Sequence, residues 1–300
     1  MKIKPGIYPD VPYNDYASWE AVNHSKLVGF KDTPAHARER FISEPAPTAA
    51  LEFGWLTHLA VLEPARLWRE ACVRPEGDAR TKEVKPKWEA FKKTLEAGGE
   101  NEGKKVLTVE EKRQLEAIQT SVLKHETARE YLMSQGSNEL SICWEDKETK
   151  LLCKGRLDRL TVASKMPGVA PDRVPEKKSF MVIIDLKTIG EPATQRNVER
   201  SIFNYNYGSA AAMYLEGLSV LFPTDEMRPF VWIVVETEPP HLVRLFTPSS
   251  DLLQWGYERW HRWLAAYAET QRTGNWPGWE PGIEEANLPP WAQKVWELSL

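Results

Sequence analysis

The sequence predicts an α/β or α+β domain in which helices flank a mixed central sheet of about five strands. Three observations predict this class. Helical patterns fill the first part of the chain, strand-like segments begin near Glu139, and one long helical segment separates two of those strands. With 42% hydrophobic and 27% charged residues, the composition is that of an ordinary globular protein.

The first part of the chain predicts three helices, over residues 34–41, 48–62 and 108–131. Thr33 and Pro34 provide a cap and a proline at the first helical position. The second helix is apolar and stops before Pro64, and Thr108 with Glu111 forms a capping box ahead of the third. Residues 1–24 are expected to be extended and rich in turns.

Strand patterns occur in five segments, at residues 139–145, 150–162, 180–187, 230–236 and 242–246. The polar residues 146–149 are expected to turn the first two strands into a hairpin. Further helices are predicted over residues 196–217 and 249–271. Residues 164–179, which contain three prolines, are expected to form a loop.

We expect residues 1–270 to form a single domain with a helical N-terminal part, followed by a Trp- and Pro-rich C-terminal extension over residues 271–300. Seven of the 13 tryptophans fall in the last 46 residues. Because tryptophan favours buried or interfacial positions, we expect them to pack against the domain or a neighbouring subunit rather than stack on bases.

The sequence predicts a cytoplasmic protein that does not enter a membrane. No apolar run approaches the roughly 18–20 residues needed to span a bilayer, and the N-terminus lacks the apolar segment of a secretory signal. Three widely spaced cysteines favour a reducing compartment and fall short of the four thiolates that usually hold an iron–sulfur cluster.

The net charge of -4 argues against a uniformly basic surface but permits a local one. Residues 80–93, RTKEVKPKWEAFKK, carry six basic and two acidic residues and predict an exposed, mobile loop or short helix. This segment is either a solvated charged face or a surface that contacts phosphates. Its candidate contacts are Lys82, Lys85, Lys87, Lys92 and Lys93.

The stretch MVIIDLKTIG, residues 181–190, places a carboxylate and an amine at the end of an apolar strand. Alternate strand residues share a face, so Asp185 and Lys187 project together while Leu186 faces the opposite side. Asp158, near the end of the preceding strand, and Glu139, at the start of the hairpin, supply further carboxylates. Such a group can hold a hard divalent cation beside an amine that orients or deprotonates water.

Each of these residues also has a structural interpretation. Asp158 lies between Arg156 and Arg159 and can form an ion pair, and Glu139 can be a charge at the sheet rim. A D-x-K pattern at a strand end is common. The order of all these residues along the chain nevertheless favours a site for metal-assisted phosphodiester cleavage.

Four stretches resemble the PD-(D/E)xK nuclease superfamily and, within it, the RecE-type (exonuclease VIII) phage recombination exonucleases. They are FGWLTHLAVLEP (53–64), NELSICWEDKETKLLCKGRLDRL (138–160), MVIIDLKT (181–188) and YNYGSAAAMYLEGL (205–218). The resemblance implies a PD-(D/E)xK restriction-endonuclease-like core. It also implies that the acidic metal positions are Glu139, Asp158 and Asp185 and that the catalytic lysine is Lys187.

The resemblance assigns further roles around this centre. His58 matches a helix-borne histidine that ligates or supports the second of two Mg²⁺ or Mn²⁺ ions, although on the sequence alone a histidine on an apolar helix is more often a core residue than a ligand. Leu186 would offer its backbone carbonyl to the metal. The candidate DNA contacts are Lys82, Lys85, Lys87, Arg156 and Tyr214. Ala210 stands where the family usually has a glutamine, so one polar contact of that helix is missing.

The activity implied is magnesium-dependent digestion of linear double-stranded DNA from 5′ to 3′, leaving a 3′ single strand for phage-type recombination. The implied setting is the cytoplasm of a bacterial or phage-infected cell. A ring-shaped homo-oligomer and a RecT-like single-strand annealing partner are also implied. The alternatives are another nuclease of the superfamily, such as a restriction-like endonuclease, and a non-catalytic DNA-binding protein that keeps the fold.

Overall fold

The structure, a computed structural model, describes residues 1–42, 46–163, 179–223, 228–289 and 292–293. The loop predicted at 164–179 lies, except for its last residue, outside the described residues. The strands are β1 (Gly6–Tyr8), β2 (Ala71–Val73), β3 (Lys105–Leu107), β4 (Gly136–Glu145), β5 (Leu152–Ala163), β6 (Phe180–Ile189), β7 (Phe230–Glu236) and β8 (Val243–Phe246). The helices are α1 (Tyr13–Ser18), α2 (His24–Leu27), α3 (Pro34–Ile42), α4 (Ala49–Leu62), α5 (Pro64–Glu70), α6 (Lys85–Leu95), α7 (Val109–Lys124), α8 (Glu126–Met133), α9 (Gln195–Asn204), α10 (Tyr207–Leu221) and α11 (Ser250–Thr273), with a short 3₁₀ turn at Val28–Lys31.

Six strands form one mixed sheet in the order β1-β4-β5-β6-β7-β8. Only β6 and β7 run parallel, with Leu186 opposite Ile233, and the helices α9 and α10 form the connection between them. The other neighbours in this sheet are antiparallel. The predicted mixed central sheet flanked by helices is thereby confirmed, and β1 adds a sixth strand at its edge.

Two predicted helices are each divided in the structure. The helix predicted over 108–131 breaks at His125, whose extended backbone begins α8 and whose ring accepts a hydrogen bond from the Ala128 backbone N–H. The helix predicted over 196–217 breaks before α10, because Asn206 has a left-handed backbone with φ of 57°. At His125 the ring satisfies a backbone N–H at the start of α8, whereas at Asn206 the break comes from the backbone conformation, without a side-chain cap.

The N-terminal part contains more regular structure than the sequence predicts. The segment expected to be extended and turn-rich, residues 1–24, carries β1 and α1. The small parallel pair β2–β3 lies in a separate sheet. The basic segment forms helix α6, so the short-helix alternative holds for its second half.

Helices cover both faces of the sheet. Ile183 of β6 joins a core formed with α9, α10 and α11, whereas Leu186 joins a core formed with α4, α7 and α8. Gly217 lets α10 approach the sheet closely, because a Cβ there would lie 2.8 Å from the ring of Trp144. No helix among the described residues is long and apolar enough to cross a membrane.

The C-terminal tryptophans that the structure describes pack largely onto this domain. Helix α11 extends past residue 270 to Thr273 and buries Trp260 and Trp263. Beyond the helix, Trp276 lies 5.9 Å from the ring of Phe30. The first residues of the predicted extension therefore contact the body of the domain.

Candidate active site

The predicted site residues meet within strands β4, β5 and β6, where the β5–β6 pairing stops, so Asp158 and Asp185 lie inside their strands rather than near the ends as predicted. Glu139 and Asp158 stand opposite each other, between the paired positions Asn138–Arg159 and Leu140–Leu157. Continuing the β5–β6 register by one step from Arg159–Ile184 places Asp158 beside Asp185. Helix α4 supplies His58 from the adjoining layer. Sheet register and the packing of α4 together therefore bring close residues that are as much as 127 positions apart in the sequence.

Three side chains form a group with the geometry of a metal-binding set. His58, Glu139 and Asp158 each offer a ligand atom, and these atoms lie within 4.8 Å of one another. The His58 Nε2 lies 2.8 Å from the Leu186 carbonyl oxygen, and its Nδ1 lies 3.4 Å from Asp158 Oδ2. The same Asp158 oxygen accepts a hydrogen bond of 2.7 Å from the Leu186 backbone N–H.

The protonation of His58 bears on whether this set fits a cation. Burial, and then the charge of Lys187, lowers the pKa of His58, so its ring is neutral at neutral pH. A neutral ring that donates from Nε2 to the Leu186 carbonyl leaves the Nδ1 lone pair facing a carboxylate. Two such electron-rich atoms are best accommodated with a cation between them, so this donor set fits a divalent ion.

Asp185 lies outside this group of three. Its Oδ2 is 2.5 Å from the Lys187 ammonium, and the ammonium sits 4.9 Å from the centre of the Tyr207 ring. Burial alone would lower the pKa of Lys187, but the Asp185 and Asp158 carboxylates outweigh it and raise that pKa above its usual range. Lys187 is therefore a fixed positive charge at the edge of the metal-binding set.

The carboxylates are crowded and poorly solvated. Burial, followed by the charge of Asp185, raises the pKa of Asp158 to about 7. Burial, followed by the charge of Asp158, raises the pKa of Glu139. Buried like charges of this kind are relieved by a hard cation with oxygen ligands, such as Mg²⁺ or Mn²⁺.

Two arginines that the sequence places beside Asp158 serve other partners. Arg156 donates to Glu139 Oε2 at 2.7 Å and to the Val11 carbonyl at 2.9 Å. Arg159 is buried and donates to Asn138 Oδ1 at 2.6 Å and to the backbone carbonyls of Tyr131 and Ser134, at the end of α8. Asp158 is thus not the partner of either flanking arginine, and Glu139 is more than a rim charge.

Glu139 also has an unusual backbone. Its φ is 49°, in the left-handed region that residues other than glycine seldom adopt. Holding a non-glycine residue there costs about 1–3 kcal/mol and persists only where the surrounding structure enforces it. The β4–β5 pairing enforces it here, on a residue whose carboxylate belongs to the metal-binding set.

A cavity of about 450 Å³ opens onto these groups. It is lined by His58, Glu139, Asp158 and Lys187, and by four side chains that the sequence analysis missed: Tyr13, Trp55, Arg66 and Tyr207. Of these, Trp55 and Tyr207 lay within stretches singled out in the sequence, FGWLTHLAVLEP and YNYGSAAAMYLEGL. Tyr13 and Arg66 come from helices α1 and α5, whose approach to the sheet no local pattern indicates.

Other predicted contacts lie elsewhere. Lys82, Lys85 and Lys87 are exposed on or just before α6, and none of them lines this cavity. Tyr214 packs against the core, and its ring is so close to β5 that a Cβ on Gly155 would lie 2.9 Å from it. A role for these four residues in DNA contact stays a prediction.

Comparisons with known proteins agree with the fold. Residues 169–284 match the model of a family described as a PDDEXK-like domain of unknown function (DUF3799), a segment that includes Asp185 and Lys187. No curated protein matches this chain.

Two solved structures are similar in outline. One, from Eubacterium rectale and provisionally described as an exonuclease, shares 15% identity over 86% of each chain with a TM-score of 0.49. The other, SSO0001, shares 11% identity over 73% of this chain and 93% of its own, with a TM-score of 0.26. At these values neither structure defines the activity of this chain. The family match, the six-stranded mixed sheet and the acid–lysine site together support a PD-(D/E)xK-like nuclease fold.

Proposed function

We propose that this protein is a divalent-metal-dependent exonuclease that digests linear double-stranded DNA from 5′ to 3′ and leaves a 3′ single strand. The observation that carries the proposal is the convergence of His58, Glu139 and Asp158 within 4.8 Å, beside the Asp185–Lys187 pair. The exonuclease polarity and the recombination setting rest on the resemblance to RecE-type enzymes.

The residues divide the chemical work between them. A divalent cation held by His58, Glu139 and Asp158 would neutralise phosphate charge and lower the pKa of the attacking water. Arg156 fixes the Glu139 carboxylate through its 2.7 Å hydrogen bond. The Leu186 backbone N–H and carbonyl orient Asp158 and His58, so the strand itself positions two of the three ligands.

Lys187 acts as a cation in this scheme. The sequence alone leaves open whether it deprotonates water or stabilises charge. Its raised pKa, caused by Asp185 and Asp158 against the effect of burial, keeps it protonated at neutral pH. It can therefore orient the water and stabilise negative charge that develops on the phosphate, but it has no free lone pair with which to take a proton.

The test uses linear duplexes labelled at either the 5′ or the 3′ terminus, incubated with Mg²⁺, Mn²⁺ or a chelator. Early release of the 5′ label as mononucleotide, dependent on the metal, supports the proposal. A closed circular duplex is the control, since an exonuclease leaves it intact. Nicking of the circle would identify an endonuclease instead. Absence of cleavage under all metal conditions would favour the alternative of a non-catalytic DNA-binding protein.

The proposal extends to assembly and partners through the resemblance alone. A ring-shaped homo-oligomer predicts a single species several times the 34.4 kDa mass of the chain in light scattering. A RecT-like annealing partner predicts co-purification of the two proteins and faster strand annealing behind the nuclease. A monomeric protein that does not bind the annealing protein would contradict both the ring and the partner, but not the nuclease assignment.

A further inference from the structure

A second, larger cavity of about 900 Å³ adjoins the candidate active site. Both cavities are lined by Ala50, Leu51, Lys187, Thr188 and Tyr207, so they adjoin each other at Lys187. A volume of this size is within the range of roughly 300–1,000 Å³ typical of small-molecule pockets. Whatever occupies it lies next to the reacting phosphate.

The walls of the larger cavity are mainly apolar and aromatic. Its floor is the sheet face that carries Lys187, because alternation places Ile189 and the neighbouring Trp232 and Val234 on the same side. Helix α9 covers this floor with Val198 and Ile202. Such walls suit a flat, weakly polar group.

The charges of the cavity make it a poor place for a phosphate. Apart from Lys187, which Asp185 already holds, its charged lining side chains are Glu191 and Glu238. Glu191 is paired with Arg200 at 2.5 Å. A strand whose phosphate sits at Lys187 would therefore place its base, rather than the next phosphate, in this space.

Two tyrosines supply a stacking surface where the two cavities adjoin. The rings of Tyr205 and Tyr207 are 5.6 Å apart and inclined by 29°, in a stacked arrangement. Tyr207 lies beside the Lys187 ammonium, whereas Tyr205 is 65% exposed. An exposed aromatic ring at the wall of a mainly apolar cavity offers a surface on which single-stranded nucleic acid bases can stack.

We propose that this cavity binds one nucleobase of the strand being cut, unstacked from its neighbours and adjacent to the scissile phosphate. The inference rests on the proposed nuclease function and adds a specificity subsite to it. Stacking accepts every base because each base has a π-face, so the subsite selects for the presence of a base and for an unpaired end rather than for sequence.

The experiment uses single-stranded and duplex oligonucleotides in which one residue at a time, within four positions of the cut, is an abasic tetrahydrofuran analogue. At one position the loss of the base is expected to lower kcat/KM by about 5- to 100-fold, which is the factor that the stacking energy of one base on an aromatic ring corresponds to. Duplexes with a frayed end at that position are expected to be cut faster than blunt ones.

Variants of the exposed ring locate the effect. Tyr205→Leu, which keeps an apolar side chain without a ring, is expected to cut the abasic and normal substrates at nearly equal rates, and Tyr205→Trp to restore the difference. Phe203→Leu is the matched control, because Phe203 is 61% exposed in the last turn of α9, which Tyr205 follows, but stacks on Trp255 outside the cavity. Ser201→Phe, which places a ring inside the cavity, is a second variant expected to abolish the base effect.

The outcomes separate the two proposals. Metal-dependent cleavage with equal rates on all abasic substrates would overturn the base subsite while leaving the nuclease assignment. If no DNA is cut, the nuclease assignment fails. Binding of the same oligonucleotides in Ca²⁺, followed by fluorescence anisotropy, then decides the subsite: an equal Kd with and without the base removes it.

Discussion

His24 links the pH dependence of stability to the geometry of the active site. This buried histidine of α2 has its Nε2 2.8 Å from the Ser209 hydroxyl, and that hydroxyl donates to the Asn206 carbonyl at 2.8 Å. The network fixes the start of α10, where Tyr207 meets Lys187. Because Ser209 uses its proton on Asn206, His24 must donate from Nε2.

The magnitude follows from the pKa of this histidine. Burial, followed by the charge of Lys187, lowers the pKa of His24 from 6.5 to about 3. The folded protein therefore binds fewer protons than the unfolded chain between these values. Its contribution to stability is complete above pH 6.5 and is lost as the pH falls toward 3. At pH 5, which is about 1.5 units below the pKa of this histidine in the unfolded chain, the free energy of unfolding is lower than at pH 7 by about 2 kcal/mol.

The assay is urea unfolding of the parent protein, His24→Gln and Ser209→Ala at pH 7 and pH 5. His24→Gln cannot titrate, so its stability relative to the parent is expected to improve by about 2 kcal/mol on going to pH 5. Ser209→Ala removes the hydroxyl but keeps the histidine, so it should retain the parent's acid sensitivity. Equal losses between pH 7 and pH 5 in the parent and in His24→Gln would refute the argument.

Three further changes test the site and the packing around it. Lys187→Met is expected to lower single-turnover cleavage by about 10²- to 10³-fold, because a charge-stabilising group is lost, with DNA binding in Ca²⁺ nearly unchanged; an equally large loss of binding would make Lys187 a phosphate anchor instead. His58→Gln should reduce the rise in melting temperature that Mn²⁺ produces in the parent, and an undiminished rise would return His58 to a purely structural role. Gly217→Ala should destabilise the fold by about 1–3 kcal/mol in urea unfolding, because its Cβ meets the Trp144 ring at 2.8 Å. Gly282→Ala, with open space around its Cβ, is the control, and equal stabilities of the two variants would contradict the packing argument.

The strands and the arrangement of the acidic residues and the lysine could be predicted from the sequence, because both follow from local patterns. An apolar run ending in Asp185 and Lys187 determines which side chains share a face, and the hairpin determines that Glu139 and Asp158 stand opposite each other. Five of the six strands of the main sheet follow from such runs. The sixth, β1, is three residues long, too short for any alternation to be detected.

What the sequence could not predict depends on contacts between distant segments. The break before α10 depends on a single left-handed residue, Asn206, whose side chain accepts a hydrogen bond from Arg259 at 3.2 Å. The pairing of Asp185 with Lys187, rather than with the other ligands, arises from burial and charge in the assembled site. The adjoining cavity exists only once α9 is laid over β6 and β7.

The left-handed backbone of Glu139 places local strain at a proposed metal ligand. Glycine at this position would relax the backbone and, in the same step, remove that proposed ligand. The residue that this backbone conformation accommodates most easily is thus one that cannot bind a cation.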